Sequence, residues 1–157
     1  MTKLLVAAAL TLAATLAQPA TAVTFPTLTT IYVGSGVYDS GDSTNAGVAT
    51  VVSCSNVSGQ SANVRFLVLS AAGSAAGNQT LNLQHGRSAV VATHGAVSYS
   101  EVAALGTGSL EEGAVLNIES TQSGVFCTAA IVNAAGFAHE GSPLHLVRIN
   151  GHPGAEE

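Results

Sequence analysis

Lysine is almost absent from this chain, and tryptophan is absent altogether. Lys3 is the only lysine, so the residues after the first 22 carry just three basic side chains, Arg65, Arg87 and Arg148. Three arginines against nine acidic residues give that portion a net charge of −6 with neutral histidines. Such a chain has no basic patch with which to neutralise phosphates, which excludes nucleic acid and anionic lipid surfaces as partners. Charged residues make up only 8% of the sequence, far below the roughly 25% of ordinary globular domains. Solubility therefore rests on Ser, Thr, Asn, Gln and Gly. The lysines that commonly protect sheet edges from pairing are missing as well, which points to association through strand edges. Met1 is the only methionine, so a methionine-based copper site is ruled out for the mature chain.

The N-terminus reads as an address. Lys3 precedes the apolar run 4–17, and Ala20-Thr21-Ala22 forms a small-x-small cleavage site. The run is too short and too poor in large side chains for a membrane span. Cleavage after Ala22 would leave residues 23–157, an exported chain, periplasmic or extracellular, long enough for one domain with a true core. Cys54 and Cys127 are the only cysteines, 73 positions apart. An even count in an oxidising compartment predicts one structural disulfide, whereas redox or metal chemistry would want closer spacing.

After the leader, β-branched and alternating segments recur between Gly, Ser and Asn clusters. The segment 29–39 reads as an irregular first strand interrupted by Gly34 and Gly36. In 48–59, Val48, Thr50, Val52 and Cys54 share one face. In 63–73, Val64, Phe66 and Val68 face inward and Arg65 outward. The small-residue stretch 70–79 reads as a loop before the strand 80–84, and another strand follows at 88–95. The segment 98–106 fits either a short strand or a helical turn. The segment 113–136 reads as a hairpin turned by 121–124, burying Leu116, Ile118, Cys127, Ala129 and Ile131 and leaving Asn117 and Glu119 in water. A last strand occupies 143–150, ahead of a polar tail at 151–157. No segment holds a capped 3.6-residue period. The expectation is an all-β, immunoglobulin-like antiparallel sandwich of seven to nine strands with one disulfide, spanning residues 23–150.

The early-to-late cysteine span resembles the inter-sheet bridge of immunoglobulin-like sandwiches. The layout is similar to small exported bacterial proteins of that class that carry no assigned activity. The chain departs from antibody-type domains in having no tryptophan for the bridge, and in Val125 standing where a corner tyrosine would be. Its Ala, Gly, Thr and Asn richness and single cysteine pair also resemble pilin subunits, although those place both cysteines in the N-terminal half and end on an aromatic strand.

The candidate sites are few. Asp39, Asp42 and Asn45 lie on the glycine-rich stretch 36–47 and offer hard oxygens to calcium, but their spacing is not that of an EF-hand and no glutamate closes the loop. Gly41-Asp42-Ser43 lacks the leucine of the Gly-Asp-Ser-Leu esterase block, and Thr44 follows instead. The reading favoured here is a connection between strands. His139, His145 and His152, with Glu140, gather near the C-terminus as weak transition-metal candidates, and His85 and His94 complete the histidines. Glu111 and Glu112 are adjacent and so point to opposite faces if in a strand, which excludes a carboxylate pair flanking one glycosidic bond. Tyr32 and Tyr38 form at best a thin sugar platform, with Phe66 and Phe126 taken into the core. Asn56-Val57-Ser58 and Asn78-Gln79-Thr80 match the glycosylation pattern; the Ala- and Gly-rich composition points to a bacterial source, where the match would be chance. The expectation is a non-catalytic module without cofactor that binds a protein or surface partner.

Overall fold

The computed structural model describes residues 27–136 and 141–149. The expected leader, the tail 151–157, His139 and His152 lie outside the described residues. Ten strands form two five-stranded sheets, and there is no helix among the described residues. They are β1 (Thr29–Asp39), β2 (Val48–Asn56), β3 (Ala62–Leu69), β4 (Ala75–Leu83), β5 (Ser88–Ala92), β6 (Ala103–Ala104), β7 (Leu110–Ser120), β8 (Val125–Asn133), β9 (Gly141–Leu144) and β10 (Leu146–Arg148). One sheet runs β10-β1-β7-β3-β4 and the other β6-β5-β2-β8-β9. All pairings are antiparallel except the short β5–β6 contact. The architecture is the expected all-β sandwich, with three short strands bringing the count to ten.

Alternation decides which side chains meet. In the first sheet Tyr32, Ile118, Phe66 and Gln79 lie side by side across four strands, and Gly34, Leu116, Val68 and Gly77 form the next row. Phe66, Leu116, Ile118, Val64 and Val68 are at most 1% exposed. They face Val52, Cys54, Val91 and Val125 of the second sheet across a single core. Burying side chains of this size contributes about 1.5–3 kcal/mol each.

The second sheet is covered on its outer side too. Ala49, Val51, Ala92, Ala96, Val132 and Ala134 form a smaller apolar cluster, with Tyr99 packed against it. The segment after β5 folds back to make it: Val97 N–H donates to Ala134 O at 2.8 Å. Both faces of β2 are therefore buried, which the half-buried alternation of 48–59 did not announce.

Three expectations about the strands need correction. The segment 113–136 is not a hairpin, since β7 belongs to one sheet and β8 to the other, and 121–124 crosses between them. Two amphipathic arms around a short turn look the same whether they pair edge to edge or face each other across a core. The last strand is also split. β9 pairs with β8, the chain crosses at His145, and β10 pairs with β1. This crossing is why position 34 is glycine: a Cβ there would come within 2.7 Å of Leu146 Cδ2 and 3.3 Å of the His145 carbonyl oxygen. Finally, the stretch expected as a loop before residue 80 is strand from Ala75 onward, because β3 supplies it with a partner from Leu69 back to Ala62.

The disulfide is present, with Cys54 and Cys127 directly opposite each other on β2 and β8 and their Cα atoms 4.1 Å apart. It lies within one sheet, unlike the inter-sheet bridge that the cysteine span resembled. Two inward-pointing residues at a closely spaced antiparallel position are the one place where neighbouring strands bring Cβ atoms near enough.

Candidate functional site

The glycine-rich stretch singled out in the sequence forms the end of the sandwich around Asp39, the last residue of β1. Thr50 ties this end together. Its hydroxyl donates to Tyr38 O at 2.8 Å and accepts from Tyr38 N–H at 2.9 Å, joining β2 of one sheet to β1 of the other. The connection 40–47 is then pinched at its neck, where Ser40 N–H donates to Val48 O and Val48 N–H donates to Ser40 Oγ. Asn45 holds a left-handed backbone at φ 64° and gives its N–H to Gly95 O at 2.8 Å.

Asp39 is 1% exposed and both carboxylate oxygens are engaged. Oδ1 accepts the Gly41 N–H at 2.7 Å, while Oδ2 faces His94 Nδ1 at 2.8 Å and accepts the Thr107 hydroxyl at 3.2 Å. The other ring nitrogen of His94, Nε2, faces the Ala46 carbonyl oxygen at 2.8 Å. Both ring nitrogens thus meet oxygens that accept, and only the doubly protonated imidazolium donates to both. The His94 side chain is 11% exposed. Burial is the largest single influence on its pKa and pulls it down. The Asp39 hydrogen bond, the Ala46 carbonyl, and the charges of Asp39 and Asp42 oppose this and leave it raised above the ordinary value.

This geometry separates two kinds of chemistry. In a hydrolytic triad the aspartate holds one ring nitrogen and the other receives a proton from a nucleophile. Here Nε2 is spent on a backbone carbonyl, so the pair has no lone pair to offer a serine. Ser40, the nearest serine in sequence, is itself bound to the backbone of Val48. The Asp39–His94 pair is a clasp holding the connection 40–47 to the segment after β5. The calcium candidates do not share one geometry: Asp39 points inward onto His94, whereas Asp42 and Asn45 are exposed. Asp42 packs against Gly47, which leaves no room there for a Cβ.

Of the histidine candidates, His145 is exposed at the sheet crossing. No group of three or more His, Cys, Asp or Glu side chains able to hold a metal occurs among the described residues. The proposed tyrosine platform is not formed, because Tyr32 is 7% exposed while Tyr38 is 40% exposed. Phe126 was expected inside and is 51% exposed. Val125 occupies the inward position of β8, so its neighbour must point out. There the Arg148 guanidinium lies 4.8 Å from the Phe126 ring centre and 5.7 Å from that of Tyr32, donating to Ser123 O at 2.8 Å. A cleft of about 260 Å³ beside it is lined by Thr29, Thr30, Thr121, Ser123 and Arg148. Glu119 also corrects its expectation of facing water. It is 8% exposed and ion-paired with Arg65, its register partner on β3.

Sequence reasoning missed Asn56, read only as part of a glycosylation pattern. It is fully buried, its amide donating to Gln60 O and Leu83 O, both at 2.7 Å, and accepting from Ser58 N–H at 2.9 Å. An asparagine ending a strand in Asn56-Val57-Ser58-Gly59 was the available signal for such a turn-forming role.

A further feature is an edge. Two strands terminate each sheet: β10 and β4 in one, β6 and β9 in the other. β6 has two residues and β10 three. β9 has four, one of them Pro143. β4 has nine, with neither proline nor charge. No helix of the described residues is long and apolar enough to cross a membrane. Compared with protein-family models, curated proteins and solved structures, the chain finds no significant match.

Proposed function

We propose that this chain is a non-catalytic, exported β-sandwich that works as a binding or surface-assembly module, engaging its partner along the open edge of β4. The observation that carries the reading is the contrast among the four terminal strands. Proteins blunt exposed edges by shortening them, by placing proline or lysine on them, or by covering them. β6, β9 and β10 are short and β9 carries Pro143, whereas β4 is nine residues long and neutral; its Ala75 end is bulged and Gly77 is packed by Leu105 and Thr107, but Asn78, Thr80 and Asn82 beyond them are exposed. An edge of this kind presents a row of backbone donors and acceptors that suits strand addition. The disulfide and the N-terminal leader pattern support export, and a catalytic reading has no support from a His94 whose two nitrogens are both spent.

The test is site-specific photo-crosslinking in the cells that make the protein, with the reactive group at Thr80 on β4 or at Ser35 on β1. A macromolecular adduct from position 80 and none from position 35 is expected. Failure to form an adduct at position 80, or equal adducts from both, would overturn the reading.

A further inference from the structure

We propose that the cleft beside Arg148 is a binding site for a carboxylate carried on a hydroxylated ring, as in a uronic acid. The site lies at the β10–β1 side of the first sheet, across that sheet from β4. It is separate from the strand edge proposed above and stands without it. The ends of three chain segments build it. β1 is bulged at Ile31, which has no partner on β7 between the pairs Thr30–Glu119 and Tyr32–Ile118. The Ile31 carbonyl oxygen accepts Ile149 N–H at 2.8 Å, which ties the chain after β10 to this bulge. The crossing 121–124 forms another wall and is pinned along its length. Thr121 N–H donates to Asn63 O, Asn63 N–H to the Thr121 hydroxyl, Gln122 N–H to Ser120 Oγ and Val57 N–H to Gly124 O. Walls fixed before a ligand arrives need little ordering on binding.

Arg148 supplies the charge. Its guanidinium is half-buried within reach of the Phe126 and Tyr32 rings, and its bond to Ser123 O uses one of five N–H donors. No carboxylate pairs with it among the described residues, in contrast to Arg65 with Glu119 and His94 with Asp39. A cation part-removed from water without a counter-ion is stabilised by an anion brought to it. The field points the same way. Asp39, Asp42 and Glu101 stand at the opposite end of the sandwich, where Glu111 and Glu112 begin β7, while Arg87 and Arg148 stand at this end. One guanidinium fork matches one carboxylate. A phosphate dianion would need a second cation or a helix N-terminus, and neither lines the cleft. Thr29, Thr30, Thr121 and Ser123 bring hydroxyls to the lining, suited to a ring that carries hydroxyls of its own. The volume of about 260 Å³ falls below the roughly 300–1,000 Å³ of pockets for drug-sized ligands, which suits a single ring.

The experiment is a titration of the protein, purified with its disulfide intact, with sodium glucuronate at constant ionic strength, followed by proton–nitrogen NMR. Saturable shifts are expected at the Arg148 Nε–H and at the amides of Thr30 and Ser123, with a dissociation constant of about 1 mM. Glucose keeps the ring without the charge, acetate keeps the charge without the ring, and inorganic phosphate offers the other common oxyanion. Each should bind about tenfold more weakly than glucuronate. Arg148→Gln should weaken glucuronate by about tenfold or more. Arg87→Gln, at the same end but outside the cleft, should leave it unchanged. Should Arg148→Gln fail to fold, Thr29→Asp changes an exposed side chain, puts a like charge in the lining and should weaken binding in the same way.

Glucuronate shifts that fail to saturate by about 50 mM overturn the inference, as do shifts that spare the cleft. Acetate binding as tightly as glucuronate overturns the role of the hydroxylated walls, and glucose doing so overturns that of Arg148. Equal binding of phosphate overturns the choice of a carboxylate. Affinity that survives Arg148→Gln or Thr29→Asp, or that falls equally in Arg87→Gln, overturns the site.

Discussion

Replacing Asp39 by asparagine keeps the shape of the clasp and removes its charge, and the consequence should depend on pH. In the wild type His94 has a raised pKa in the folded protein, so between the unfolded value, about 6.5, and the folded value the native state binds more protons than the unfolded chain. Its contribution to stability is complete below about pH 6.5 and fades as pH rises through the folded pKa. In Asp39→Asn the imidazolium would be stranded in a site where its side chain is 11% exposed. The ring escapes by staying neutral on folding, which at pH 5 costs about 2 kcal/mol relative to a free imidazole. Loss of the charge-assisted bond adds about 1–2 kcal/mol. The total, about 3–4 kcal/mol at pH 5, falls in the range for removing one partner of a buried ion pair. At pH 8.5 the unfolded chain also carries a neutral imidazole, and the difference should shrink to about 1 kcal/mol. Urea unfolding of both proteins from pH 5 to pH 9 measures this, and NMR of the His94 ring locates its titration. A constant difference across that range, or a His94 midpoint below 6.5, would refute the reasoning.

Removing the disulfide as Cys54→Ala/Cys127→Ala releases a cross-link over 73 positions, worth about 4 kcal/mol on the chain-entropy model; thermal unfolding under oxidising and reducing conditions should show the loss in the wild type and no reductant effect in the variant. Phe66→Ala empties the centre of the core, where the ring is fully buried, and should cost about 3–5 kcal/mol in chemical denaturation. Asn56→Ala removes the amide that the Leu83 carbonyl and the Ser58 N–H bind and one of the two donors on the Gln60 carbonyl, which keeps the Ser58 hydroxyl; a loss of about 2–4 kcal/mol is expected, and a loss below 1 kcal/mol in the same assay would mean that water replaces the amide.

The local content of this fold was legible in the residues themselves. Period-two alternation located β2, β3, β7 and β8 and named Val64, Phe66, Val68, Leu116 and Ile118 as inward, because a strand offers each side chain only two directions. An even pair of cysteines behind an expected export leader named the bridge. Partnership was not legible. Whether β7 pairs with β8 or faces it, whether Cys127 bridges within a sheet or between sheets, and whether 75–79 has a strand to lie against all depend on contacts between residues far apart in sequence. Alternation is identical in either arrangement. The same holds for the clasp, since Asp39 and His94 are 55 residues apart and each alone reads as a surface polar group. Composition could say that sheet edges here would be poorly guarded. Only the tertiary order of the strands decided which of them stand at the edges and that β4 is the longest of these, because an edge is defined by the absence of a neighbour.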